Sequence, residues 1–171
     1  MLDSLRFERV YPYHPEQVWV ALTDRHALAE WLMPNDFEAR VGHKFTFQVD
    51  PMPGCVCETR GEVLEVVAAQ RLVYSWTPVP RSGPLPSVPS VVTWTLTPTA
   101  TGTRLTLEHT GLAGVFPFWQ RLMLRFGWGT MVKRWIPKVA GNVRDGQFVP
   151  GVFPLAKRCY KANKIPAHLT R

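Results

Sequence analysis

His109 is the residue of this chain whose type and setting most directly invite chemistry. It ends the alternating run Leu105, Leu107, His109 and so shares the apolar face of a strand. A neutral imidazole donates at one ring nitrogen and accepts at the other. That suits a hydrogen-bonded core or rim position, and equally a polar fixture that orients a ligand hydroxyl or carbonyl in an apolar pocket. Tyr74 is a second donor of this kind. General-base catalysis needs a positioned partner, and the sequence names none for His109. Glu58, Arg60, Glu62 and Glu65 crowd one polar stretch. With no bulge, the first three share a face that reads as solvated; an inversion around Gly61 would turn Glu58 or Arg60 inward. Cys55, Cys57 and Cys159 make an odd count without a disulfide framework. Cys55 and Cys57 share a strand face, and with His43 and His109 they match none of the common zinc spacings. There is no Gly-rich phosphate loop, nucleophile elbow or HExxH. Binding without turnover is therefore the leading expectation, with no cofactor and no metal. A cyclase- or hydrolase-like enzyme using His109 is an alternative.

These groups have to be positioned by a strand, two short helices, a run of antiparallel strands and a helical C-terminal region. LRFERVY at 5–11 alternates as a first strand. Pro15 and Glu16 suit the first turn of a helix whose stripe is Val18, Trp19 and Leu22. Thr23 or Asp24 can cap a second helix carrying Ala27, Leu28, Trp31 and Leu32, which Pro34 stops. From Gly42 the period becomes two: Phe45, Phe47 and Val49 face one way. A Pro-Gly turn at 53–54 leads into a strand or strand pair around Gly61, which marks a bulge or bend. Leu72, Tyr74 and Trp76 alternate next, before a proline-rich loop over 78–90. Val92, Trp94 and Leu96, then Leu105, Leu107 and His109, form an antiparallel hairpin with one apolar and one threonine-rich face. A short helix from about Pro117 to Phe126 is expected to put Phe116, Trp119, Met123 and Phe126 on one side. A further helical segment holds Val132, Trp135, Ile136 and Val139, and Pro137 kinks or divides it. Residues 147–171 carry no sustained period and read as a basic arm or tail after a domain spanning 1–146.

The charge is unevenly divided. Residues 1–120 hold nine Lys/Arg and twelve Asp/Glu, whereas 121–171 hold eleven Lys/Arg and one acid, Asp145. Such a field attracts an acidic protein or an anionic membrane surface; without a base-reading motif, specific nucleic-acid binding is not expected. An exposed edge strand and the aromatic stretch Phe116–Phe126 suit a homodimer. No run approaches the roughly 18 apolar residues of a membrane span, and acids occupy the N-terminus where a secretory signal needs bases, so a cytoplasmic protein is expected.

The early strand followed by HPEQVWVALTDRHALAEWLMP, then FEARVGHKFTF, GEVLEVVAAQRLVYSW, VVTWTLTPTATGTRLTLEHTGL and the Gly-Trp of GWGTMVKRW carry a resemblance. Over about residues 6–144 the chain resembles the START-like (SRPBCC, helix-grip) superfamily, in the branch of the C-terminal domain of the activator of Hsp90 ATPase. That resemblance implies an α+β fold: a curved antiparallel sheet, two short helices and a long C-terminal helix over an apolar cavity. By position, the cavity walls would be Phe45, Phe47, Tyr74, Trp76, Trp94, Leu107 and His109, with Val132, Trp135 and Ile136 from the helix. Trp31 would stand near the mouth. The implied ligand is a small apolar molecule, lipid-like or aromatic. Lys133, Arg134, Pro137 and Lys138 depart from the family's usual unbroken, acid-containing helix.

Overall fold

A computed structural model describes residues 3–51, 57–158, 160–161 and 163–170. The 53–54 turn, Cys55 and Cys159 lie outside them. Six strands form one antiparallel sheet in the order β1-β6-β5-β4-β3-β2. They are β1 (Leu5–Tyr11), β2 (Lys44–Gln48), β3 (Glu58–Val67), β4 (Arg71–Pro78), β5 (Ser90–Thr99) and β6 (Gly102–Thr110). Helices α1 (Pro15–Thr23) and α2 (Arg25–Trp31) fill the connection from β1 to β2. Asp24, not Thr23, caps α2, accepting from the backbone N–H of His26 and Ala27 at 2.9 Å. The inward positions of the strands are mainly apolar, with Arg9, Thr59, Ser90, Thr103 and His109 as polar exceptions, and the hairpin β5–β6 keeps Thr93, Thr95 and Thr97 on its outer face, as the alternation requires.

β3 is a single strand, and its register with β4 slips between Val63 and Glu65 rather than at Gly61. Gly61 answers a different need. A Cβ there would come within 2.3 Å of both the Phe45 ring and the Ser75 carbonyl, so only a residue without a side chain lets that ring cross the strand. Because the slip lies beyond Gly61, Glu58 and Arg60 keep the outward parity and pair with each other at 2.8 Å. They do not enter the interior.

The two C-terminal helical segments expected from the sequence are one continuous rod: α3 (Phe118–Thr130), a π turn (Met131–Trp135) and α4 (Ile136–Ala140). Pro137 explains the wide turn. Lacking an N–H, it cannot continue the i→i−4 ladder, and the rod loosens just before it. The Ile136 N–H bonds the Met131 carbonyl, passing over that of Val132, whose next partner in this register would be Pro137. The Tyr11 hydroxyl fills the gap, donating to the Val132 carbonyl at 2.5 Å. Proline is thus tolerated because β1 supplies the missing donor. Burial of that phenol raises its pKa above the ordinary tyrosine value.

Beyond the rod, Asp145 and Gly146, both at positive φ, turn a small hairpin between β7 (Val143–Arg144) and β8 (Gln147–Phe148). The arm that follows is held by the buried Glu30 of α2. Its carboxylate accepts the N–H groups of Gly151 (2.6 Å) and Phe153 (2.8 Å) and pairs with Arg158 at 3.1 Å. Farther along, Tyr160, Ile165 and Leu169 pack against Val49. Arg25 donates to the carbonyl of His168 at the short helix α5 (Ala167–Thr170).

Candidate functional site

Ten of the eleven residues nominated from the sequence come together in the core between sheet and helix: Trp31, Phe45, Phe47, Tyr74, Trp76, Trp94, Leu107, His109, Val132 and Ile136. They touch one another. Phe45 lies edge-on to Phe47 and Tyr74, and Trp94 to Trp31 and Trp128, with ring centroids 5.1–6.1 Å apart. Such contacts are those of a packed aromatic core. Two assignments change. Trp31 is not at a mouth: it is buried, and its indole N–H donates to the Ala21 carbonyl at 2.7 Å. Trp135 leaves the sheet side. The π turn shifts the buried stripe to Trp128, Val132, Ile136 and Val139, and Trp135 packs on Phe153 of the arm, with centroids 5.7 Å apart.

The polar atoms of this core are used internally. The Trp128 indole N–H donates to His109 Nδ1 at 3.0 Å. Since an indole nitrogen only donates, Nδ1 is the unprotonated nitrogen and the ring proton sits on Nε2. Nε2 then donates to Ser90 Oγ at 2.9 Å, and that hydroxyl donates to the Trp76 carbonyl at 2.8 Å. The relay ties the long helix to β6, β5 and β4. Burial lowers the His109 pKa from 6.5 to about 3, so the ring is neutral at ordinary pH. Tyr74 accepts from the Trp94 indole at 2.9 Å, and burial raises its pKa. His109 therefore serves as a pin, with both nitrogens committed to protein partners, and sequence reasoning missed its partner Trp128. The neighbouring spacing GWG gave no hint that the indole would point at the imidazole.

A groove of about 590 Å³ opens beside this core, between the edge strand β1 and the long helix. Phe7, Phe126 and Val132 supply its apolar wall; Arg9, Arg125, Lys133 and Arg134 line it with positive charge. Glu8 is its acid, and that carboxylate is already paired with Arg104 at 3.3 Å and Arg6 at 3.6 Å. Gly129 brings the helix against Phe7: a Cβ there would meet that ring at 3.2 Å. Of the residues nominated from the sequence, Val132 alone lines the groove. The others were missed because Phe7 and Arg9 look like ordinary edge-strand residues. Among the described residues no three His, Cys, Asp or Glu gather as a metal site. His43 instead points Nε2 at the Asp36 carbonyl, 2.7 Å away. No helix among the described residues is long and apolar enough to cross a membrane.

The family model for "Activator of Hsp90 ATPase homolog 1-like protein" matches residues 12–136. Protein MLL2253 from Mesorhizobium loti is 35% identical, over 78% of this chain and 93% of its own, with a TM-score of 0.64. The AHSA1 protein from Silicibacter pomeroyi has the same TM-score at 20% identity, over 82% of this chain and 99% of its own. DynU16, a protein of the dynemicin biosynthetic locus, also scores 0.64 at 23% identity. There the match covers 85% of this chain and 49% of DynU16. No protein of curated function matches. With the sheet order, the two inserted helices and the gripping helix all in place, this chain belongs to the Activator of Hsp90 ATPase homolog 1-like family.

Proposed function

We propose that this protein binds a small amphipathic molecule, with an apolar body and an anionic head, in the groove between β1 and the long helix. The observation that carries the reading is the groove's mixed lining, which combines apolar Phe7, Phe126 and Val132 with basic Arg9, Arg125, Lys133 and Arg134. Ligand sites are typically concave and apolar with a few convergent polar groups, and a volume of this order holds a small organic molecule. The neighbouring core is a weaker candidate, since its rings contact one another and its polar atoms are paired internally. Binding at the groove also keeps the ligand in contact with Val132, where core and groove meet. With His109 committed at both nitrogens, carriage or sensing fits better than turnover.

Decanoate and the uncharged decanol, titrated in parallel by calorimetry, test this. Saturable decanoate binding is expected, weaker for decanol and at least about fivefold weaker in Arg134→Glu, since each charge near an anion contributes on the order of 1 kcal/mol. Thr130→Trp, which fills the groove from an exposed position, should abolish it. Equal affinity for acid and alcohol, or binding that survives Thr130→Trp, would overturn the proposal.

A further inference from the structure

The first two and a half turns of α3 present Phe118, Trp119, Leu122, Met123 and Phe126 to solvent; Phe118 and Phe126 are 61% and 68% exposed. At 100° per residue these five side chains fall within one arc of the helix, opposite the arc of Leu124 and Trp128 that packs on the core. The face is therefore outside the fold by construction. Between Glu108 and Asp145 the chain contains no acid and six Lys/Arg. Arg125 stands exposed beside Phe126, and Lys133 and Arg134 stand exposed about two turns farther along the rod.

We infer that this face of α3 docks on an anionic lipid bilayer. Aromatic and aliphatic side chains on one side of a helix, with cations beside them, suit the boundary between headgroups and acyl chains. The basic flank then meets the negative surface potential of an anionic leaflet. A second copy of the chain is disfavoured on charge. A two-fold contact through this face would set the Arg and Lys of both helices against each other, with no acid in the segment to neutralise them. The inference does not rest on the groove ligand, although Arg125, Phe126, Lys133 and Arg134 border both surfaces.

Flotation of the full chain with vesicles of phosphatidylcholine alone, and of phosphatidylcholine with added phosphatidylglycerol, tests it at low and high salt. Binding is expected only with phosphatidylglycerol, and weaker at high salt. Lys133→Glu should cost about fivefold or more, since each surface cation contributes on the order of 1 kcal/mol. Replacing Phe118 and Phe126 together by Ser should cost more than about tenfold, from the apolar area no longer buried. Brominated lipid should quench fluorescence in the native protein and far less in Trp119→Phe, which keeps the apolar face. Thr130→Trp, which blocks the groove, should leave flotation intact and so separates this inference from the ligand proposal. Indifference to vesicles at low salt, equal binding to neutral vesicles, or a dimer that the double Ser variant splits into monomers would each overturn it.

Discussion

Residues Phe118–Phe126 and Trp128–Ala140 are successive stretches of one helical rod, both rich in large apolar side chains. The second buries Trp128, Val132, Ile136, Val139 and Ala140 under the sheet and against α1, while the first turns Phe118, Trp119, Leu122, Met123 and Phe126 to solvent. Hydrophobicity therefore does not distinguish the two; the angle at which it is displayed does. In the second stretch the apolar stripe advances in steps of four and three residues and stays on the sheet, helped by the π turn. In the first, the stripe lies on the far side of the anchor residues Leu124 and Trp128. One stretch is core, and the other is surface that needs an external partner.

The sharpest way to break this contrast is Trp128→Ala. Removing a buried indole costs about 3–5 kcal/mol, and the change also leaves His109 Nδ1 without its donor. Urea denaturation at neutral pH should show the loss as a lower midpoint at an unchanged slope. A loss below about 1 kcal/mol would mean that the second stretch is not anchored through the Trp128–His109 pair.

The second prediction uses pH. The His109 imidazole titrates near 6.5 in the unfolded chain and near 3 in the fold, where burial excludes the charged form. Between those values the unfolded state takes up a proton that the folded state refuses. Stability therefore falls as pH falls, by about 1.4 kcal/mol for each pH unit well inside that window. His109→Gln deletes the titration while other acid-sensitive groups stay in place. Its unfolding free energy should decline less steeply than the native protein's from about pH 6 to pH 4. Parallel declines would show that the ring is accessible to protons, and the pin would have to be redrawn.

Tyr11→Phe comes next, at about 1–3 kcal/mol, the cost of leaving the buried Val132 carbonyl without a donor. Combining it with Pro137→Ala should recover part of the loss, because a residue with an N–H at 137 can bond that carbonyl from within the helix. Hydrogen exchange across Met131–Ala140 would locate the effect. Additive losses in the double variant would show that proline does not set the register of the π turn.

The alternation of Phe45, Phe47, Tyr74, Trp76, Trp94, Leu107 and His109 was legible because a strand shows one face every second residue, and all seven are buried on the inner side. The hairpin β5–β6 was legible for the same reason. Three features were not. Glu30 sits among Ala27, Leu28 and Trp31 on an apolar stripe, and its partners come from an arm more than a hundred residues away. The merging of two helical segments across Pro137 depends on a hydroxyl from β1, which no local pattern announces. The groove, finally, is a product of register. Phe7 and Arg9 share the inward parity of β1 with Leu5 and Tyr11, but only the tilt of the helix decides which of them is covered.

The smallest expected effect separates the two stretches most cleanly. If the first stretch is surface, Phe126→Ser removes little that the fold uses, and the change in unfolding free energy should stay within about 0.5 kcal/mol. The same change at Trp128, two residues on and on the opposite side, costs several times more. A near-neutral result has positive content, because a large aromatic kept in water confers no stability and raises the risk of association. If Phe126→Ser instead destabilised the chain by more than about 1 kcal/mol, the side chain would be holding the helix to β1 through the groove. The exposed face would then be part of the fold. If stability holds and the protein stays monomeric at high concentration, the apolar face serves neither the fold nor a contact between copies. Such a face, in a stretch with no acid between Glu108 and Asp145, is then accounted for by what it docks on rather than by what it stabilises.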